Sequence, residues 1–162
     1  MQRDATMQTD PPRTDCNCFA VRSAARHITQ FYDQCLAPIG LRTTQMAVLT
    51  RLKRLGPLTI NALAEDLVAD RTTLGRNILP LERDGLIRIE SSATDRRAKE
   101  LHLTKAGEKR LQAGVKRCSQ AQAQFEATFG TKRAAEMRAL LRAVVATEFG
   151  QPLSARGATA AG

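Results

Sequence analysis

The stretch from Asp70 to Thr104, DRTTLGRNILPLERDGLIRIESSATDRRAKELHLT, decides the fold. In its first part Leu74, Ile78 and Leu81 stand at i, i+4 and i+7, which predicts a helix with one narrow apolar stripe for burial. At about 100° per residue, Thr72, Arg76 and Arg83 point away from that stripe, and Thr73 and Asn77 flank it. The exposed side therefore offers hydroxyls, an amide and guanidinium groups, the chemistry that reads base edges and grips phosphates. Asp70 is the expected N-cap and Gly85 the expected stop. Pro80 lacks the N–H that would bond the Arg76 carbonyl, and an interior proline costs about 3 kcal/mol, so a kink or a loosened last turn is expected.

After Gly85 the period changes from helical to alternating. Leu86, Ile87 and Ile89 on one run and Leu101 and Leu103 on the other flank a polar tip from Ser91 to Ala98, which predicts a β-hairpin. The tip holds Arg96, Arg97 and Lys99 against a single Asp95, a charge balance suited to a polyanion. A polar recognition helix followed by a basic hairpin is a winged helix-turn-helix. Upstream, Thr59 is expected to cap a short helix through Ile60, Leu63, Ala64 and Leu67, and the turn Val68-Ala69-Asp70 leads into the recognition helix.

On these residues the chain resembles the MarR-type transcriptional regulators. The run DRRAKELHLTKAG, Asp95 to Gly107, is similar to the wing signature of that family, and the likeness extends over roughly residues 16–149. The resemblance implies that Asp95 steadies Arg97 and that Arg97 enters the minor groove. As a solvated surface pair alone, the two would be worth at most about 1 kcal/mol. The resemblance also implies a dimer that pairs through its first and last two helices, so that two recognition helices face successive major grooves.

Composition narrows the partners. The 162 residues form one domain of ordinary size, and the formal net charge of +9 points to an acidic partner, double-stranded nucleic acid before an anionic membrane surface. Aromatic residues make up 4% and tryptophan is absent, so a stacking platform for single strands is not expected. No apolar run approaches 18 residues and no hydrophobic signal core follows Met1, so a soluble, cytoplasmic protein that does not enter a membrane is expected.

The remaining elements read as helices. Residues 1–14 are expected to be a disordered arm. Residues 15–40 read as an N-terminal dimerisation helix, capped by Asp15 or Asn17, with Val21, Ala24, Ala25, Ile28, Phe31, Tyr32 and Cys35 on one face. Residues 41–104 form the DNA-binding domain; its first helix is expected to be capped by Thr43 or Thr44 and to use Val48, Leu49, Leu52 and Leu55 as its apolar face, with Arg51, Lys53 and Arg54 solvated. Residues 105–150 carry two further dimerisation helices. Thr104 caps the first, whose seam is Leu111, Val115, Cys118, Gln122, Phe125 and Phe129; the second has Met137, Leu140, Leu141, Val144 and Val145 as its apolar face and runs to about Phe149. Residues 151–162 are expected to be a disordered tail. The fold class is therefore mainly α with a small β-wing.

No enzyme site is expected. His27 and His102 stand apart from any nucleophile motif, His102 is expected to face solvent, no glycine-rich phosphate loop occurs, and no cofactor is called for. Cys16 and Cys18 supply two thiols without a second pair at metal spacing, so no metal site is expected either. The segment CNCFAVRSAARHITQFY, Cys16 to Tyr32, resembles the start of the organic-hydroperoxide-sensing (OhrR-type) branch of the family. The match lies at Cys18, Phe19 and Tyr32; Arg22 stands where that branch has a tyrosine. In the first turn of a helix Cys18 would sit at the positive end of the macrodipole, with Arg22 one turn on, and both favour thiolate; the alternative is a small packed hydrophobe. Cys35 and Cys118 could serve as resolving thiols only if packing brings them within reach.

The sequence is thus read as a homodimeric DNA-binding regulator, a repressor as is common among MarR-type proteins. It would leave a palindromic operator when a thiol meets an organic peroxide or a small phenolic or aromatic ligand binds. A sequence-blind architectural nucleic-acid binder and a winged-helix protein-interaction module are the alternatives.

Overall fold

The computed structural model describes residues 16–92 and 97–150. These form two compact units, one ending at Ala121 and one beginning at Gln122, with a continuous helix passing from the first into the second. The expected arm and tail, Asp15 as a cap, and Asp95 and Arg96 at the wing tip lie outside the described residues.

In the first unit α1 (Asn17–Leu36) is followed by a 3-10 turn (Ala37–Ile39), α2 (Thr43–Leu55), β1 (Leu58–Thr59), α3 (Ile60–Asp66), α4 (Arg71–Arg83), β2 (Ile87–Ser91), β3 (Lys99–Leu103) and the start of α5 (Lys105–Phe129). The strands form an antiparallel sheet in the order β1-β3-β2, with Leu58 opposite Leu101 and Ile87 opposite Leu103. The fold is therefore helical with a small sheet, as expected, and β1 adds a third strand to the expected hairpin. The core gathers Leu36, Val48, Leu49, Leu63, Leu74, Ile78, Leu81, Ile87, Leu101 and Leu111, taken from every helix of this unit and from both wing strands. Leu111 places the first turns of α5 in the same core as the preceding helices and wing strands.

Caps explain where the helices begin. Thr59 accepts from the Ala62 N–H at 3.1 Å, and Asp70 accepts from the Thr73 N–H at 2.8 Å. Thr104 accepts from the Gly107 N–H at 3.0 Å while its hydroxyl donates to the Gly85 carbonyl at 2.7 Å, tying α5 to the start of the wing. Two expected caps differ. Cys16, rather than Asn17, is the N-cap of α1 and makes no side-chain cap bond. Thr43 and Thr44 lie inside α2, whose N-cap is Arg42. The capping role passes to Asp33, which accepts from both the N–H and the hydroxyl of Thr43, each at 2.7 Å.

Pro80 does not end α4: the helix continues through Leu81, Glu82 and Arg83, and the Asp84 N–H closes it on the Pro80 carbonyl. Burial within a single chain covers only part of the expected apolar faces. Leu55 is exposed at the end of α2, past the turn that packs inward. In α1 Leu36 alone is buried, while Phe19 and Val21 stand exposed. In α5 the buried residues are Gly107, Leu111, Gly114 and Ala121, so the face that packs is lined largely by small residues, and Val115 points to solvent.

In the second unit α5 ends at Phe129, and α6 (Thr131–Ala146) turns back after Gly130. Phe125 and Phe129 stack at 5.3 Å, the Arg133 guanidinium lies over the Phe129 ring, and Arg138 pairs with Glu126 at 2.9 Å. Gln122 and Arg138 hydrogen-bond the Glu126 carboxylate and hold its pKa below the ordinary range. Of the expected apolar face of α6, Met137 is half-buried, while Leu140, Leu141, Val144 and Val145 are exposed, Val145 by 83%.

Candidate nucleic-acid interface

The geometry of α4 follows from its sequence. Leu74, Ile78 and Leu81 are fully buried, and burying each such side chain contributes about 1.5–3 kcal/mol, enough to fix which face turns outward. Arg71, Thr72, Thr73, Arg76 and Arg83 consequently face solvent. At the N-terminus the Thr73 hydroxyl, then its N–H, then that of Thr72, hold the Asp70 carboxyl below its usual pKa range, so the cap stays charged.

Not all the expected site residues are equally available. Arg76 makes no ion pair among the described residues. Arg83 pairs with its neighbour Asp84 at 3.0 Å, an exposed contact that a phosphate can replace at little cost. Asn77 is half-buried, and its amide is engaged: Nδ2 donates to the Thr73 carbonyl at 3.0 Å and Oδ1 accepts from the Thr44 hydroxyl at 2.9 Å. Sequence reading placed Asn77 among exposed readers because Thr44 lies thirty-three residues away on another helix.

On the wing Arg97 and Lys99 are exposed, and Lys99 donates to the Ser91 hydroxyl across the hairpin at 3.3 Å. The hairpin is closed below its tip by the Ser92 N–H on the Ala98 carbonyl. His102 lies on the outer face of the sheet, opposite Arg88, but is screened there by its neighbours. It is four-fifths covered and lies 3.6 Å from Glu90 and 3.7 Å from Glu100, on the same face of the sheet. In α2 Lys53 and Arg51 also differ from a simply solvated face: Arg51 pairs with Asp66 and Lys53 with Glu108, while Arg54 is exposed.

The candidate sensing residues sit at opposite ends of one helix. Cys16, Cys18 and Arg22 are exposed at the start of α1, whereas Tyr32 is half-buried near its end, edge-on to Phe31 at 5.4 Å. At about 1.5 Å per residue, Cys18 and Tyr32 are separated by roughly 21 Å within one chain. Cys35 and Cys118 are half-buried neighbours; burial first, and Cys35 second, push the Cys118 thiol up, which makes it a weaker nucleophile. Cys35 lies about 25 Å along α1 from Cys18, so it does not resolve Cys18 in the same chain.

Between α1, α2 and α4 lies an open cleft of about 720 Å³, lined by Asp33, Arg42, Gln45, Arg76, Pro80 and Arg83 among others. No group of three or more metal-ligating side chains is found among the described residues, and no described helix is long and apolar enough to cross a membrane.

Comparison with known proteins places this geometry. The MarR family model matches residues 41–99, from the start of α2 to the wing. An uncharacterised HTH-type transcriptional regulator of Bacillus subtilis, YwoH, is 32% identical over 92 residues, 57% of this chain and 66% of that protein, just under two thirds of its length. The transcriptional regulator MosR of M. tuberculosis, solved in complex with DNA, is 34% identical, with a TM-score of 0.68 over 83% of this chain and all of the solved one (100%). A probable transcriptional regulator from Pseudomonas aeruginosa is 26% identical, with a TM-score of 0.73 over 81% of this chain and 98% of its own. With a capped, outward-facing α4, a basic wing and a solved relative 34% identical and matched along its whole length, the chain belongs to the MarR family of transcriptional regulators.

Proposed function

We propose that the protein is a homodimeric repressor that binds a palindromic operator in double-stranded DNA and is released by a chemical signal. The observation that carries this reading is the outward face of α4, where Thr72 and Arg76 are exposed opposite three fully buried residues and Thr73 is exposed on the flank. Arg76 is free to take guanine bidentately, Thr72 and Thr73 suit base edges or phosphate, and Arg83 suits phosphate. Arg97 and Lys99 on the wing supply charge to the backbone or the minor groove. Asn77 shapes this face from behind. Exposed apolar residues on α1 and α6, Phe19 and Val21 on one and Leu140 and Val144 on the other, support a second copy as the partner that covers them.

For the signal, the exposure of Cys18 in the first turn of α1 supports a thiol switch. The Cys18 thiolate attacks the terminal oxygen of an organic hydroperoxide; the O–O bond breaks, the sulfur gains oxygen as sulfenate and the alcohol leaves. Condensation with a second thiol then releases water and forms a disulfide. Tyr32 can approach Cys18 only from the partner chain, so oxidation acts on the dimer geometry that sets the spacing of the two α4 helices. The cleft between α1 and α4, with Arg42, Arg76 and Arg83 on its walls, supports a small phenolic or aromatic effector as the alternative trigger.

The test is to select bound fragments from genomic DNA and titrate the complexes with cumene hydroperoxide, comparing the wild type with Cys18→Ser. Release of the wild type but not the variant is expected. Equal release, or none at concentrations that oxidise the thiol, assigns Cys18 to structure and leaves the cleft as the switch.

A further inference from the structure

By its chemistry Asn77 is the α4 residue best suited to pair with an adenine edge, since its amide offers a donor and an acceptor together. Here one N–H is given to the Thr73 carbonyl within α4 and the oxygen accepts from the Thr44 hydroxyl of α2, which fixes the orientation of the amide. The residue before Thr44 is Thr43, which is bound twice to Asp33 of α1. A chain of hydrogen bonds thus runs from α1 through the first turn of α2 to the first half of α4.

That half of α4 needs holding. Leu74 is its one buried residue, and Arg71, Thr72 and Thr73 are exposed. Gly75 weakens a helix interior, and no atom lies within 4 Å of where its Cβ would be, so nothing packs there in compensation. The buried stripe fixes which face turns outward and the Asp70 cap fixes the end of the helix, but neither holds the polar flank of this half against α2. The Thr44–Asn77 bond is the polar tie between this half and the body of the unit.

We infer that Thr44 and Asp33 are positioning residues for DNA recognition: the Thr44 hydroxyl holds Asn77 as a strut that steadies the reading face of α4, and Asp33 holds Thr44 in place by capping α2. The inference rests on the reading of α4 as the recognition helix. It makes Asn77 a support for Thr72, Thr73 and Arg76 rather than a reader beside them. It also gives the last turns of α1 a route to α4, since a shift of Asp33 moves Thr43 and Thr44 together.

The experiment has one arm without DNA and one with it. Hydrogen exchange is followed in peptides covering residues 70–79 of the free protein, for the wild type, Thr44→Val, Thr44→Ser and Asp33→Asn. Affinity is measured for a selected operator and for a scrambled duplex of the same length, adding Asn77→Ala and the double variant Thr44→Val with Asn77→Ala. Because Thr44 is exposed, Thr44→Val is compatible with folding. It is expected to speed exchange in these peptides about fivefold to tenfold and to lower the operator-to-scrambled ratio by a similar factor, the scale of one hydrogen bond. Thr44→Ser, which keeps the donor, and Asp33→Asn, which keeps the acceptor, should restore both. The double variant should be no worse than Asn77→Ala alone.

Unchanged exchange in Thr44→Val overturns the strut, and so do additive losses in the double variant, which would mean that Asn77 reads a base independently of Thr44. A wild type with no preference for any selected duplex, together with the expected exchange changes, overturns the DNA-recognition reading instead of the strut.

Discussion

Val68 and Gly85 occupy the same conformational slot in consecutive turns, one before and one after α4. Each has a left-handed backbone, with φ of 50° and 69°, and each is followed by a residue whose N–H reaches back five positions, Ala69 to Ala64 and Leu86 to Leu81. Glycine is the ordinary occupant of this position, so the turn at Gly85 was legible in the sequence and the turn geometry at Val68 was not. A left-handed L-residue costs about 1–2 kcal/mol, and Val68 recovers none of it by packing, being 89% exposed. Val68→Gly should therefore raise stability by about 0.5–1 kcal/mol once the extra chain entropy of glycine is deducted, seen as a higher urea midpoint with an unchanged slope. A lower midpoint would mean that the valine is held by contacts. Asp33 shows the other limit of residue-scale reading. Asp70 caps the helix that follows it and was found from sequence, whereas Asp33 caps a helix ten residues on through a tertiary contact that no local pattern encodes.

At the scale of elements, the helices of the first unit and the hairpin were legible because their apolar periods are regular. β1 was not, because two residues, Leu58 and Thr59, are too short to show a period. Besides the expected seam, α5 carries a second packed face that the sequence did not show, for a physical reason. Its packed face runs through Gly107, Gly114 and Ala121, and small residues carry little hydrophobic signal even where they permit the closest approach. A Cβ at Gly107 would collide with the Leu86 carbonyl, a backbone atom that cannot yield, whereas one at Gly114 would meet the Met46 Sδ at 2.5 Å, the flexible end of a side chain. Gly107→Ala should accordingly lose about 2–3 kcal/mol to overpacking. Gly114→Ala should come out near zero, since about 1 kcal/mol of helix propensity offsets the displacement of Met46. Equal denaturation midpoints for the two variants would refute this account of how α5 docks.

At the scale of the whole molecule, a formal charge of +9 suits a polyanion, while the proposed function assigns specificity to a few side chains on one helix face. The apolar residues of α1 and α6 were legible as faces reserved for dimerisation, and in a single chain Phe19, Val21, Leu140 and Val144 are exposed. If a second copy covers them, two α4 helices address two half-sites about 34 Å apart, and neither half-site alone holds the protein strongly. The decisive measurement is a titration at fixed salt of wild type, Arg76→Ala and Arg97→Ala against three duplexes: the selected palindrome, the palindrome with one half scrambled, and random sequence. The wild type should prefer the intact palindrome to random DNA by about 10³-fold or more. Arg76→Ala should cost about 1–3 kcal/mol on the palindrome alone, and Arg97→Ala should weaken binding to all three duplexes alike. Equal affinity of the wild type for all three duplexes would contradict the assignment of α4 as a sequence-reading helix in a dimeric regulator.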